Sequence, residues 1–444
     1  MSDPGTPTSQ TPTSQKPEAA ETITTSRQPS LPLVGGFIVI VALGVIAWLI
    51  FVSGLLESGD AEPTPSPSIS PSASASVEPS GEPSPSPTPE PTEAPTVTPE
   101  PSAEAGPIEV AWTAASGIDR LAQVHDIAYL DGRWVAAGGD FAEESFTAAI
   151  WTSDDGMTWT PSEIDSTRGA NEYTQVGAVV EIDGTLVAIG SWGVVPSDQV
   201  SWMTWRSTDG GATWTETREV DTALHAIANG EAGLVAAGWT YGGATPFDSY
   251  FATSADGITW ERTAATLPKA QVQDLGVIGD RIVAVGHVWV EPQLDLDAAA
   301  WYSDDGGTSW TVADVPDGGM STSMGDVVPF GDGLAAIGGE GTVSAWVTSD
   351  GETWERFDVA DGAFSSALGA VDGGLVAVGN GFGQDLGPGV SWTSPDAAAW
   401  QAGGSLGMVP VRLSAVAGNG DVVVVGGGCE GGCETVIWVG EVSR

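Results

Sequence analysis

Aromatic rings and carboxylates recur together in the segments that follow a repeated Val-Ala-x-Gly tetrapeptide, and these residues have the most chemistry to offer. The set is Trp192, Trp239, Tyr241 and Trp289 with Asp295, Asp297, Glu340 and Asp385. Indole and phenol faces stack on sugar rings, and carboxylates accept from sugar hydroxyls or meet a cationic peptide. Two carboxylates held roughly 5 to 9.5 Å apart would instead suit glycoside hydrolysis. The acids are too many for the sequence to choose such a pair, so no catalytic residue is singled out. His125 and His225 each lie thirteen residues before a repeat glycine (Gly138 and Gly238), a repetition that favours shared packing over a metal or acid–base pair. Cys429 and Cys433 frame Glu-Gly-Gly. Outside a cell they are expected as a local disulfide, since a metal site would need two further ligands. No Asp-x-Asp-x-Asp-Gly loop occurs, and neither a metal nor a cofactor is expected.

The elements that position these residues repeat. Strand ends of the type VAAG, VAIG and VAVG place glycines at Gly138, Gly190, Gly238, Gly286, Gly338, Gly379 and Gly426, 41 to 52 residues apart. Short alternating segments precede them, joined by pairs such as Asp131-Gly132, Asp183-Gly184, Asp332-Gly333 and Asn419-Gly420, the residues a two-residue hairpin needs. A loop follows, then a third strand, a second turn and a fourth strand opening with Trp. Four strands per 40 to 50 residues indicate a propeller. The expected fold is all-β, a seven-bladed β-propeller over residues 108–444, with strand 110–114, which carries Trp112, closing the last blade.

The second turn carries the most specific motif: SDDGMTW at Ser153, STDGGATW at Ser207, SADGITW at Ser254, SDDGGTSW at Ser303, TSDGETW at Thr348 and SPDAAAW at Ser394. These copies resemble the Asp-box, or bacterial neuraminidase repeat, family, a scaffold of the sialidase-like superfamily. An Asp that accepts from turn N–H groups, a Gly of positive φ and a capping Trp meet the physical needs of such a turn. Asp155, Asp209, Asp256, Asp305, Asp350 and Asp396 are therefore expected to be structural. The resemblance implies that these turns lie on one face, with ligands at the other mouth of the channel. It also raises sialidase activity, but the Arg-Ile-Pro motif is missing, and only Arg120, Arg168 and Arg412 fall in blade-joining loops.

Composition sets the context. The 444 residues hold 13 Lys+Arg against 59 Asp+Glu, a formal charge of -46, which excludes nucleic acid as a partner. Residues 1–30 read as a disordered cytoplasmic tail. Residues 31–56 contain no charged residue and read as a transmembrane helix, with Lys16 and Arg27 before it and acids after it. Residues 57–107, with 14 Pro and nine carboxylates, read as an extracellular Pro/Ser/Thr/Glu-rich linker. The sequence thus points to a tethered, monomeric cell-surface propeller that binds a glycan or protein, with a glycoside hydrolase as the alternative.

Overall fold

The computed structural model describes residues 107–118, 122–140, 146–165, 172–194, 200–218, 224–240, 248–290, 295–316, 319, 321–381, 387–406, 412–428 and 435–444. Residues 1–30, the apolar segment 31–56, the linker up to residue 106, Tyr241, Asp385, Cys429 and Cys433 lie outside them. Among the described residues, no helix is long and apolar enough to cross a membrane.

All regular structure is β. Strand β1 (Glu109–Ala114) precedes the first sheet of β2 (Ala122–Leu130), β3 (Arg133–Asp140), β4 (Thr147–Ser153) and β5 (Thr160–Pro161). The second sheet gathers β6 (Glu163–Asp165), β7 (Glu172–Ile182), β8 (Thr185–Val194), β9 (Val200–Ser207) and β10 (Thr213–Arg218). The third comprises β11 (Leu224–Gly230), β12 (Gly233–Thr240), β13 (Asp248–Ser254) and β14 (Glu261–Leu267), and the fourth β15 (Ala270–Ile278), β16 (Arg281–Val290), β17 (Asp295–Ser303) and β18 (Thr311–Val312). A seven-stranded sheet follows, with β19 (Asp326–Phe330), β20 (Gly333–Gly338), β21 (Glu340–Thr348), β22 (Glu355–Val371), β23 (Gly374–Gly381), β24 (Gly389–Ser394) and β25 (Gln401–Ser405). The last sheet is β26 (Arg412–Asn419), β27 (Val422–Gly428) and β28 (Val436–Ser443), completed by β1, which pairs antiparallel with β28 from Glu109↔Ser443 to Ala114↔Trp438.

The chain is an all-β propeller, but its blades do not separate as the repeat count predicts. Five sheets are discrete blades, not seven, and the sixth sheet is one ladder of seven strands. The cause is β22, whose 17 residues pair with β21 through Glu355–Phe364 and with β23 through Ala363–Val371. The first strands of successive units touch in a closed circuit, β2, β7, β11, β15, β19, β22, β26 and back to β2. Side chains fill the spaces between units. Val135, Ile150, Leu186 and Trp205 pack the first sheet on the second, and Val376, Leu413 and Val423 pack the seven-stranded sheet on the last. Trp134, Val424 and Val439 pack the last sheet on the first.

The repeat glycines have a steric origin. Every first strand but β19 carries a bulge, at Val124/Asp126, Val176/Ala178 and Val272/Asp274 for example, which presses its backbone onto the second strand. A Cβ at Gly138, Gly190 or Gly286 would lie 1.9 to 2.0 Å from the carbonyl oxygen of Gln123, Gln175 or Gln271. Two hairpin turns differ from expectation. Asp131-Gly132 and Asp183-Gly184 both take positive φ, as a type I′ turn requires, but the other two turns are Gly331-Asp332 and Gly420-Asp421, shifted by one residue. In those only the glycine has positive φ, so they use the type II′ pattern with Gly first.

Candidate functional site

Alternation of strand direction puts the first hairpin at one end of each sheet, with the Asp-box turn beside it in all but the last, and the second-to-third-strand connection at the other. At the first end, each Asp-box carboxylate accepts from its own turn. Asp155 Oδ1 accepts from Met157 N at 2.8 Å and Thr158 N at 2.9 Å; Asp256, Asp350 and Asp396 repeat the pattern with Ile258 and Thr259, Glu352 and Thr353, and Ala398 and Ala399. In the eight-residue copies the hydroxyl joins in: Asp209 accepts from Thr213 N and Oγ1 at 3.0 and 2.7 Å, and Asp305 from Ser309 N and Oγ at 2.8 and 2.6 Å. The bonds from Thr213, with that of Ser207, draw Asp209 down to about 2. In Asp305 burial works upward, yet the bonds from Ser309 hold it well below the usual carboxylate range. In four of the six turns the following Trp caps the turn through its indole N–H, Trp159 Nε1 donating to Gly156 O at 2.7 Å and Trp214 Nε1 to Gly211 O at 2.9 Å, with Trp310 and Trp400 alike. A shallow cleft of about 360 Å³ lies at this end between the third and fourth sheets, lined by Leu234, Val235, Ser254, Asp256, Thr259 and Gly306.

The opposite end holds six of the eight sequence-predicted ligand residues, those among the described residues, within strands and not in loops. Trp192 belongs to β8, Trp239 to β12, Trp289 to β16, Asp295 and Asp297 to β17 and Glu340 to β21. Pairing simply continues further than the loop reading assumed, as in Trp289↔Leu296 and Val290↔Asp295. The structure brings Trp192, Trp239 and Trp289 to the same end of three consecutive sheets, all partly exposed. His225 tilts against Trp239 at 5.6 Å between ring centroids, and His287 meets Trp289 edge-on at 5.6 Å. His287 is buried inside β16.

The acids here have structural work. Asp295 Oδ1 accepts from Ser321 N at 2.8 Å, Ser321 Oγ at 3.0 Å and Leu296 N at 2.9 Å, pinning a residue of φ 57°. Those bonds, chiefly from the Ser321 hydroxyl, lower its pKa. Asp248 does the same one sheet earlier, accepting from Lys269 N at 2.9 Å where φ is 56°.

Sequence reasoning missed Arg218. At the end of β10 its guanidinium lies 5.3 Å from the Trp192 ring centroid and pairs with Glu172 at 3.2 Å and Glu216 at 3.3 Å. The available signal was strand length: four residues beyond Trp214, the fourth strand has crossed the sheet. Arg133 and Arg281 lie at the Asp-box end, on Asp154 and on Asp304 and Glu352, while Arg120 and Arg168 lie outside the described residues.

Around the axis, polar side chains on the first strands cross to the next sheet. His125 Nδ1 donates to Val176 O at 2.8 Å and His225 Nε2 to Val272 O at 2.7 Å, so the two histidines do the same job in their repeats. His287 Nδ1 is 3.0 Å from Ser323 Oγ. Burial depresses all three, His225 and His287 to about 4, so they are neutral at pH 7. Asp126 and Asp274 accept across sheets from Val179 N at 2.8 Å and Val327 N at 2.9 Å, and Asp326 accepts from Leu368 N at 2.6 Å between β19 and β22 of the seven-stranded sheet.

No protein-family profile and no curated protein matches the chain. Solved structures do match. YCF48 bound to D1 peptide is 16% identical, with a TM-score of 0.49, over 78% of this chain and 97% of that one. Phage phi92 endosialidase is 11% identical, with a TM-score of 0.46, over 76% and 70%. Trypanosoma rangeli sialidase in complex with the inhibitor DANA is 12% identical, with a TM-score of 0.42, over 64% and 56%. These three neighbours share at most 16% identity and a TM-score of 0.49 with the chain, and no family match accompanies the Asp-box motif.

Proposed function

We propose that the protein is a non-enzymatic binding module, held outside the cell by residues 31–56 and the linker 57–107, that recognises a glycan or protein at the tryptophan-bearing end of its propeller. The observation that carries this reading is the alignment of Trp192, Trp239 and Trp289 on one end of three consecutive sheets. Acids beside them are already engaged, Asp248 and Asp295 by backbone N–H groups and Glu172 and Glu216 by Arg218. Such an end offers stacking surface and a shielded cation, with its acids withdrawn from proton transfer. The buried acids Asp274 and Asp326 are likewise engaged, accepting from Val327 N at 2.9 Å and Leu368 N at 2.6 Å.

The same reading includes seven repeat units. Taking β22 as the fourth strand of one unit and the first of the next divides the seven-stranded sheet in two, in keeping with the closed circuit of seven first strands. Cys429 and Cys433 then close a local disulfide in the last unit.

The test combines a glycan array and peptide panel with fluorogenic glycosides, using the full chain in mild detergent. Binding without turnover is expected. Trp239→Ala and Trp289→Ala should each weaken binding by about tenfold or more, roughly 1.4 kcal/mol. Turnover abolished by a single carboxylate change would overturn the proposal in favour of a glycosidase.

A further inference from the structure

The chain leaves its sheets in two ways. After β1, β5 and β18 the next residue still bonds to its own sheet, Ala115 N donating to Ile437 O at 2.8 Å, Ser162 N to Ile150 O at 2.9 Å and Ala313 N to Ala300 O at 2.9 Å. The residue after that crosses over and pairs in parallel with the start of the next outer strand: Ser116 with Thr158, Glu163 with Thr213 and Asp314 with Thr353. Ser116 N, Glu163 N and Asp314 N donate to Met157 O, Ala212 O and Glu352 O at 2.9, 3.0 and 2.7 Å. Trp159 N and Trp354 N return a bond to Ser116 O and Asp314 O at 3.0 Å. These straps cover the tryptophans that follow the Asp-box turns. Trp159, Trp214 and Trp354 are 3%, 1% and 2% exposed.

The other three turns carry no strap among the described residues. A strap residue stands four after a tryptophan (Trp112, Trp159 and Trp310), and at the same count β10, β14 and β22 still run on their own sheets, at Arg218, Ala264 and Asp358. Trp260, Trp310 and Trp400 are accordingly left partly exposed. At the boundary of the third and fourth sheets, the groups a strap would take up are Thr308 O and Trp310 N, and neither has a backbone partner among the described residues. This boundary is also hollow. A cleft of about 360 Å³ lies between Thr253, Thr259 and Glu261 of the third sheet and Gly306 of the turn leading to Thr308. At the corresponding boundary of the first and second sheets the strap is seated instead, with Ser162 Oγ donating to Gly211 O at 2.6 Å and Ile164 packed on the cluster between the sheets.

We propose that the open edge Thr308–Trp310 docks a basic, extended segment of a partner protein, which adds as a parallel strand where the chain supplies its own strap at three other boundaries. The straps show what fits. A small residue comes first (Ala115, Ser162, Ala313), then the pairing residue, then an aliphatic side chain one or two places on that packs between the sheets (Ile118, Ile164, Val315). Main-chain bonds give such strand addition its affinity, and the flanking pockets its selectivity. Charge decides the pairing residue. Glu163 and Asp314 fill that place in the straps, where covalent connection brings the strand to its edge; a separate chain must instead approach a protein of formal charge -46. The cleft lining includes Asp256 and Glu261 and no base, and Asp305 stands on the turn before the edge. Three bases occur between Leu224 and Val312. Arg262 lies over the Tyr250 ring at 4.2 Å, Arg281 pairs with Asp304 and Glu352, and Lys269 is at the other end of its sheet beside Asp248. The edge is at the end of the propeller opposite Trp192, Trp239 and Trp289, so it is a second site, independent of the first.

The probes are short dye-labelled peptides with an Ala-Lys-Val or Ala-Glu-Val core flanked by threonines, titrated into the full chain in mild detergent and followed by fluorescence anisotropy. The Lys peptide should bind, and the Glu peptide about tenfold more weakly. Glu261→Gln, a change at an exposed residue, should narrow that preference. Methylating the backbone nitrogen of the central Lys removes the donor to Thr308 O and should weaken binding by about tenfold or more. Methylating the nitrogen of the following Val, which points away from the edge, should change it by less than about twofold. A photoreactive group on the peptide should cross-link to the segment from Asp305 to Trp310, as read by mass spectrometry. No binding by either peptide at about 1 mM, equal binding of the two, or equal loss from the two methylations overturns the proposal. Cross-links confined to the end that carries Trp192, Trp239 and Trp289 overturn it as well, and leave the first site standing.

Discussion

The six Asp-box carboxylates share one backbone task and differ in what else they hold. Asp209 takes the N–H and the hydroxyl of Thr213 and the hydroxyl of Ser207, whereas Asp396, followed by alanines, takes two N–H groups and Ser394. Each of the two carboxylates takes three bonds, so at about 1 kcal/mol net apiece both Asp209→Ala and Asp396→Ala should cost roughly 2 to 3 kcal/mol. Thermal denaturation should show comparable losses for the two variants; a loss well below about 1 kcal/mol in either would mean that its turn bonds add little. These turns were legible in the sequence because the bonds span at most four residues. The bonds between units were not. Asp274 accepts from Val327 N, 53 residues further on, and only the fold makes neighbours of them. Arg218 escaped for a related reason, since its partners Glu172 and Trp192 come from two other strands.

Glycine governs at the scale of the strand. Gly286 faces the bulge of β15 so closely that a Cβ would sit 2.0 Å from Gln271 O, a contact with backbone that no side-chain rotation relieves. Gly286→Ala should therefore cost about 3 kcal/mol or more, measured by chemical denaturation. Gly132→Ala meets nothing within 4 Å, but its φ of 77° makes the cost conformational alone, on the order of 1 kcal/mol. Comparable losses in the two variants would refute the steric account of the repeat. The periodic glycines were thus a trustworthy sign of paired first and second strands, although the sequence does not reveal why they are needed. The division into blades was less legible. The shortest glycine spacing, 41 residues from Gly338 to Gly379, falls where β22 serves two ladders. With so few connecting residues the chain has no room to leave one sheet before entering the next, and hydrogen bonding runs through.

The described strands form a ring, and rings fail where they are joined. The join is made by β1, the first described strand, lying on β28, the last, so that the final sheet contains both ends of the propeller. Three kinds of contact hold it. Six residue pairs form the ladder; Ile108, 1% exposed, gives its carbonyl to Thr393 Oγ1 at 3.0 Å and to Gln401 Nε2 at 3.1 Å; and Val110 and Trp112 pack against the cluster between the seven-stranded sheet and the last. Burial of Ile108, Val110 and Trp112 at roughly 1.5 to 3 kcal/mol each makes the strand worth on the order of 5 kcal/mol. Removing residues 108–115 also bares the edge of β28, which becomes a template for pairing with another chain. The deletion should therefore lower the melting temperature sharply and promote association, visible in scanning calorimetry and light scattering. A synthetic peptide of residues 108–115 should restore part of both, because the groove it left is lined by side chains already in place. Unchanged stability in the deletion would mean that the ring is closed by packing of the last sheet on the first, through Val424 and Val439 against Trp134, without need of the shared sheet.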